Sequence, residues 1–269
     1  MRRIPSPSLL VLPLSAGLSC ADPHAHHAQH AHAEPHAQHG HAEAHAPRAH
    51  PGAADPAGAQ GHGNGHGHGH VAGGMPHRFE GADRWAKVFD DPARDAWQRP
   101  AQVVALLQIA PGMTVADIGA GTGYFLPYLS RAVGPTGKVL GLDVEADMVR
   151  YMKERATREG LTNIAAAQVA TDDPGLPAGG VDRVLIVDTW HHIDAREAYV
   201  KKLAAGLRPG GFVAIVDFTM ESDKGPPQKH RIPADVIMKE LASGGLVPRT
   251  VQETLPDQYL VIGERPATP

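Results

Sequence analysis

Cysteine is nearly missing from this chain. Its 269 residues hold a single one, Cys20. That excludes a disulfide framework within the chain. It also leaves the sequence after residue 20 without a thiolate for metal binding or nucleophilic attack. Aromatic residues are scarce, at 5%, so any place where they gather is informative. A basic excess is absent as well. Lys and Arg total 25 against 29 Asp and Glu, for a formal net charge of −4, which gives no electrostatic footprint for a nucleic-acid partner. The apolar run Leu9-Leu10-Val11-Leu12-Pro13-Leu14 and onward to Leu18 is too short and too broken by proline to span a bilayer stably.

What is present divides the chain into three stretches. Residues 1–20 carry a basic start at Arg2 and Arg3, the short apolar run, and then small residues. This is the pattern of a secretory signal peptide. Its end, Gly17-Leu18-Ser19-Cys20, resembles a bacterial lipoprotein signal, with Gly17 where such signals usually carry Leu. The expectation is an exported protein facing the periplasm, with a lipid anchor on Cys20. A translation start at Met75 would instead leave it in the cytoplasm. Residues 21–77 are mostly Ala, His, Gly, Pro and Gln, and all histidines except His191, His192 and His230 fall between His24 and His77. Without aliphatic periodicity this stretch cannot offset its ordering entropy, so it reads as a disordered linker. Imidazoles at such spacing take up Zn, Cu or Ni adventitiously, but they supply no defined catalytic geometry. No metal site is expected in the folded part.

Residues 78–269 form one domain with room for a sizeable core. From Thr114 apolar strands alternate with amphipathic helical stretches, which implies an α/β fold with a parallel sheet covered on both faces. Strands are predicted at 115–118, 139–143, 164–169, 184–188 and 212–217. Helices are predicted at 124–133, 145–158, 195–207 and 233–243. Segments 247–253 and 258–262 read as a closing antiparallel pair turning at Leu255-Pro256-Asp257. Before the sheet, Arg78-Phe79, Trp85 to Pro92 and Trp97-Gln98-Arg99-Pro100 gather Trp, Phe and Arg. They suggest a helical cap, in which ordinary packing is the preferred role for Trp85 and Phe89.

The residues that carry chemistry begin at Asp117-Ile118-Gly119-Ala120-Gly121-Thr122-Gly123-Tyr124. Glycines between a strand and a helix let the backbone approach a ligand closely. Asp143 ends the second strand, where a carboxylate can accept both ribose hydroxyls. Asp172-Asp173-Pro174 follows the third strand. Asp188 and His191-His192 follow the fourth, on the side where open α/β sheets bind ligands. Leu207-Arg208-Pro209-Gly210-Gly211 belongs to the opposite strand ends and reads as structural.

The pattern Asp117-x-Gly119-x-Gly121-x-Gly123 is similar to the first motif of class I S-adenosylmethionine (SAM)-dependent methyltransferases. The other segments follow in that family's order over about 103–263. The resemblance implies a doubly wound, mostly parallel, seven-stranded Rossmann-like sheet with an N-terminal helical cap. It implies SAM as the methyl donor, held by Asp117, Gly119, Ala120, Gly121, Thr122, Gly123, Tyr124, Asp143 and Asp188. It also puts Asp172 or Asp173 at the adenine amino group, with Asp172 preferred. His191, His192 and Asp188 are the candidate catalytic residues, with Asp217 a poorer base. Lys229, His230 and Arg231 hint at an anionic acceptor, although a solvated loop is the simpler reading.

A small molecule is the expected acceptor. Arsenite chemistry is disfavoured because the domain has no cysteine, and the Asn-Pro-Pro-Tyr type signature of nucleic-acid amino-methylation is absent. The competing reading is a non-catalytic exported lipoprotein that uses the fold for binding while the His tract handles metal. A nicotinamide oxidoreductase is disfavoured by the glycine spacing. The acceptor atom and the oligomeric state stay open at this level.

Overall fold

The computed structural model describes Phe79 and residues 81–267. The signal reading of 1–20, the anchor at Cys20 and the histidine tract of 21–77 lie outside the described residues.

Seven strands form one sheet in the order β3-β2-β1-β4-β5-β7-β6. They are β1 Thr114–Ile118, β2 Lys138–Asp143, β3 Ile164–Gln168, β4 Val181–Val187, β5 Leu207–Phe218, β6 Val247–Thr250 and β7 Gln258–Glu264. The first five are mutually parallel, and β7 runs antiparallel to both β5 and β6. The helices are α1 Ala82–Phe89, α2 Asp95–Gln98, α3 Pro100–Leu106, α4 Leu126–Val133, α5 Ala146–Arg158, α6 Arg196–Gly206 and α7 Ala234–Ser243. The expected sheet and helical cap are therefore both present.

Strand alternation explains the layering. In β5, Phe212, Ala214 and Val216 face one core, together with Leu126, Leu129 and Met152 of α4 and α5. Val213 and Ile215 face the other, with Val200, Leu203, Ile237 and Leu241 of α6 and α7. With both faces covered, the central strands read as continuous apolar runs, such as Val184 to Val187.

Three boundaries differ from the sequence-based expectation. Helix α4 starts at Leu126, because Gly123 N–H closes a turn onto Ala120 O at 2.8 Å. Strand β5 begins at Leu207, which pairs with Val181 across a register shift, so Arg208-Pro209-Gly210-Gly211 is a bulged strand start. It does lie at the amino ends of β4 and β5. Strand β6 stops at Thr250, and residues 251–257 do not make a tight turn. They reach the cap, where Arg99 donates to Thr254 O at 2.6 Å and Gln102 to Thr254 Oγ1 at 3.0 Å.

The chain order reverses at β1, which is flanked by β2 and β4. Ligand crevices in open α/β sheets form at the carboxyl ends beside such a switch point. The connection after β1, Asp143 after β2, Asp188 after β4 and Asp217 in β5 all gather on that edge.

Candidate active site

The glycine loop owes its shape to backbone that other residues resist. Gly119 has φ +67°, and a Cβ there would lie 2.4 Å from the Thr189 side chain. Gly121 has φ +55°, and a Cβ there would meet the Phe89 ring at 3.4 Å. At Gly119 both the φ and the clash demand glycine, and at Gly121 the φ favours it. Gly121 N–H donates to Asp143 Oδ2 at 2.8 Å, and Glu145 N–H donates to Asp143 Oδ1 at 2.9 Å. Each carboxylate oxygen keeps further acceptor capacity for a hydroxyl. Burial raises the Asp143 pKa, and these backbone bonds oppose it.

Asp117 and Asp188 are the electrostatic centre. Burial pushes Asp117 up to about 7; Arg94 opposes this and Asp143 adds to it. Burial likewise pushes Asp188 up to about 7, with Arg94 opposing and Asp217 reinforcing. Asp188 sits in the left-handed region at φ +53°, a conformation that Asp tolerates better than most residues. The arginine that acts on both comes from the cap. Arg94 lies 3.6 Å from Asp188 Oδ2, donates to Phe89 O at 3.0 Å, and stacks 4.2 Å from the centre of the Tyr124 ring. Tyr124 O–H donates to Asp95, so this residue of the glycine motif anchors the cap. Burial and Asp95 raise the Tyr124 pKa.

His191 and Asp217 form a buried pair. His191 Nδ1 lies 3.1 Å from Asp217 Oδ2, and the side chains are 4% and 1% exposed. Asp217 Oδ1 also accepts from Phe218 N–H at 2.8 Å. An acceptor-only carboxylate assigns the proton to Nδ1, leaving the Nε2 lone pair for chemistry. Asp217 therefore holds the His191 ring through Nδ1. The rings of His191 and His192 are 4.3 Å apart, and His192 meets Phe79 edge-on at 5.8 Å.

The cap packs over the glycine loop through Phe89 and Trp85. Their rings stack at 5.4 Å, and Phe89 rests on Gly121. Thr122 Oγ1 donates to Asp90 Oδ1 at 2.9 Å, and Arg155 of α5 donates to the same atom at 2.8 Å. Ala82 N–H donates to Asp147 Oδ2 at 2.6 Å. The amino end of α1, its carboxyl end and Arg94 each hold the cap in place.

Two expected groups are engaged elsewhere. Asp172 is 79% exposed at its side chain and pairs with Lys202 of α6 at 3.2 Å, while Asp173 lies 3.7 Å from Lys202 and caps Gly175 N–H at 2.8 Å. The structure does not bring them to Asp143. Arg231 is spent on loop carbonyls, donating to Thr219 O at 2.9 Å, Ser222 O at 2.6 Å and Lys224 O at 2.7 Å. These bonds hold the loop together. Sequence reasoning missed Arg94, Gln98 and Gln258. Gln98 and Gln258 are fully buried, and a polar residue at the start of an apolar strand was the one available signal for Gln258.

Comparison with known proteins follows the same lines. Residues 115–211 match the model of a methyltransferase domain. A ubiquinone/menaquinone biosynthesis C-methyltransferase, UbiE of Pseudomonas putida, is 29% identical over 129 residues, covering 48% of this chain and 50% of that protein. The methyltransferase GfsG of Streptomyces halstedii is 30% identical over 133 residues, covering 48% and 47%. The chain thus spans about half the length of the curated relatives it matches. The crystal structure of a SAM-dependent methyltransferase from Aquifex aeolicus superposes with a TM-score of 0.65 at 30% identity, covering 69% of this chain and 98% of that one. With 98% of that protein covered at 30% identity, this chain belongs to the SAM-dependent methyltransferases.

Proposed function

We propose that this protein moves the SAM methyl group to a small-molecule acceptor that arrives protonated, with His191 taking the acceptor's proton. The buried His191–Asp217 pair on the crevice edge carries this reading. A methyl transfer needs a general base only when the acceptor still holds its proton. An oriented imidazole with a free Nε2 lone pair therefore points to a hydroxyl or an acidic carbon as the acceptor. The UbiE relative is named as a C-methyltransferase, which agrees with an acceptor of this kind.

The residues present fit SAM. Asp143 has acceptor capacity for two ribose hydroxyls, and the glycine loop presents backbone without side chains. Buried Asp117 and half-buried Asp188 share one arginine, an electronegative setting that suits a ligand bearing an ammonium and a sulfonium. When bound, SAM supplies a methyl carbon already activated on sulfur. His191 Nε2 would hold the proton that the acceptor gives up on being methylated. Asp217 keeps the imidazole in the useful tautomer and offsets its charge once protonated. The cap excludes water from the reacting atoms.

The test is to incubate the full chain and SAM with a panel of phenols, enols and alcohols, and to measure S-adenosylhomocysteine release. The His191→Ala variant is expected to lose about 10²-fold in turnover, within the usual range for a general base, while SAM affinity changes less than threefold. Full turnover in His191→Ala, or release that no acceptor stimulates, overturns the reading.

A further inference from the structure

Four side chains from three distant stretches close a ring at the end of β4. Arg94 Nε and Nη2 donate to Gln98 Oε1 at 3.2 and 2.9 Å. Gln98 Nε2 donates to Gln258 Oε1 at 2.5 Å. Gln258 Nε2 donates to Asp188 Oδ1. Asp188 Oδ2 then faces Arg94 Nη2 at 3.6 Å. The direction around the ring is forced. Guanidinium only donates, so Gln98 must turn its carbonyl to Arg94 and its NH₂ onward. Gln258 must then accept from Gln98, and its own NH₂ meets the carboxylate. Neither amide can flip without placing like against like at two junctions.

This arrangement is a poor way to hold a cap on a sheet. Gln98 is 0% and Gln258 1% exposed. Two apolar side chains of the same shape would fill that space at no loss, and often at a gain. What an apolar pair could not do is fix the Asp188 carboxylate. Asp188 occupies left-handed backbone, and its side chain accepts from Gln258 and pairs with Arg94.

We infer that Gln98 and Gln258 are positioning residues for Asp188, fixing its carboxylate at the reacting face only while the N-terminal cap is seated. This rests on the function proposed above. Three of the four partners span both sides of the crevice: Arg94 and Gln98 belong to the cap, and Gln258 to β7. Lifting the cap removes two members at once and leaves Gln258 facing Asp188 without a polarising cation. The charged groups around Asp188 are Arg94 from the cap, His191 from the turn after β4 and Asp217 from β5. Asp117 on β1 shares Arg94. The intact ring favours the ionised carboxylate, and a broken ring favours the acid.

The experiment uses the full chain with ¹³C-carboxyl aspartate, titrated by NMR, with Asp188→Asn to assign the resonance. Gln98→Met and Gln258→Met keep shape and remove the amide. Gln258→Asn keeps the amide but is too short to close the ring, and it guards against a Met variant that fails to fold. Each single variant is expected to move the Asp188 midpoint up by about one pH unit. The Gln98→Met/Gln258→Met double variant should move it no further, because either break opens the same ring. Folded variants with an unmoved midpoint overturn the inference, as do additive shifts. Failure of the proposed function looks different: a wild-type chain that titrates as described yet takes up no SAM.

Discussion

The two halves of the crevice are built in different ways. On the β1–β2 side the ligand surface is backbone and one strand-end carboxylate: Gly119, Gly121, their N–H groups, and Asp143. Everything needed lies within one strand-loop-helix-strand stretch. On the β4–β5–β7 side the surface is made of side chains paired across the fold. His191 meets Asp217, Arg94 meets Asp188, and Gln98 meets Gln258 from 160 positions away. The first half has little freedom to vary, because backbone must approach the ligand. The second is set by packing, so the same fold can address different acceptors by changing which side chains meet.

Removing the one side chain that the first half depends on should give the largest effect. Asp143→Ala is expected to weaken SAM binding about 10²–10³-fold. It deletes two hydrogen bonds to an ionised group, each worth roughly 1.5–3 kcal/mol, from a buried position. Calorimetric titration of the full chain checks this. A loss under fivefold would mean that the cofactor is held by the other half of the crevice, and the comparison would fail.

The two carboxylates that share Arg94, Asp117 from the first half and Asp188 from the second, should announce themselves through pH. Asp117 and Asp188 are raised to about 7 from an ordinary value of 3.8. The folded chain holds these protons up to about pH 7, whereas the unfolded chain releases them near 4. Their contribution to stability is therefore complete below pH 4 and is lost as pH rises through 7. Asp117→Asn removes one such group. Between pH 5 and pH 8 the wild type should lose about 2–3 kcal/mol more than the variant, or roughly 5–10 °C in Tm. Thermal melts at the two pH values, without SAM, measure it. Parallel pH dependence in both proteins would show that Asp117 is ionised throughout.

The cap joins the halves, and its effect should be smaller. Phe89 rests on Gly121, while Asp90 ties Thr122 to Arg155. Phe89→Ala removes the ring but leaves these bonds. SAM should dissociate about tenfold faster, with its association rate little changed, as stopped-flow tryptophan fluorescence would report. Slower association would mean that the ring guides entry and does not retain.

How much of this was readable from the sequence follows from the same contrast. The glycine loop and Asp143 were legible because a strand, a turn and a helix N-terminus impose a local pattern. The sheet was legible because two-sided burial writes itself as apolar runs such as Val184 to Val187. Asp188 and His191 were legible as strand-end positions, though not their partners. Gln98 carries no pattern and Gln258 shows only as a polar residue opening an apolar strand, because a hydrogen bond between distant side chains leaves no periodicity. Phe89 was legible as a packing residue but not its partner, because an aromatic in an amphipathic helix looks the same whether it covers a core or a glycine loop.

Asp172 tests where legibility ends. Motif order placed it near adenine, yet its side chain is exposed and bound to Lys202. An exposed ion pair of this kind is worth about 0–1 kcal/mol. If the pairing persists with SAM present, Asp172→Ala should change SAM affinity less than threefold, and Lys202→Ala should do the same. A tenfold loss in Asp172→Ala with none in Lys202→Ala would show the carboxylate leaving lysine to meet the ligand. The β1–β2 half would then also include a side chain that moves, and the division drawn between backbone and side-chain recognition would have to be shifted to β3.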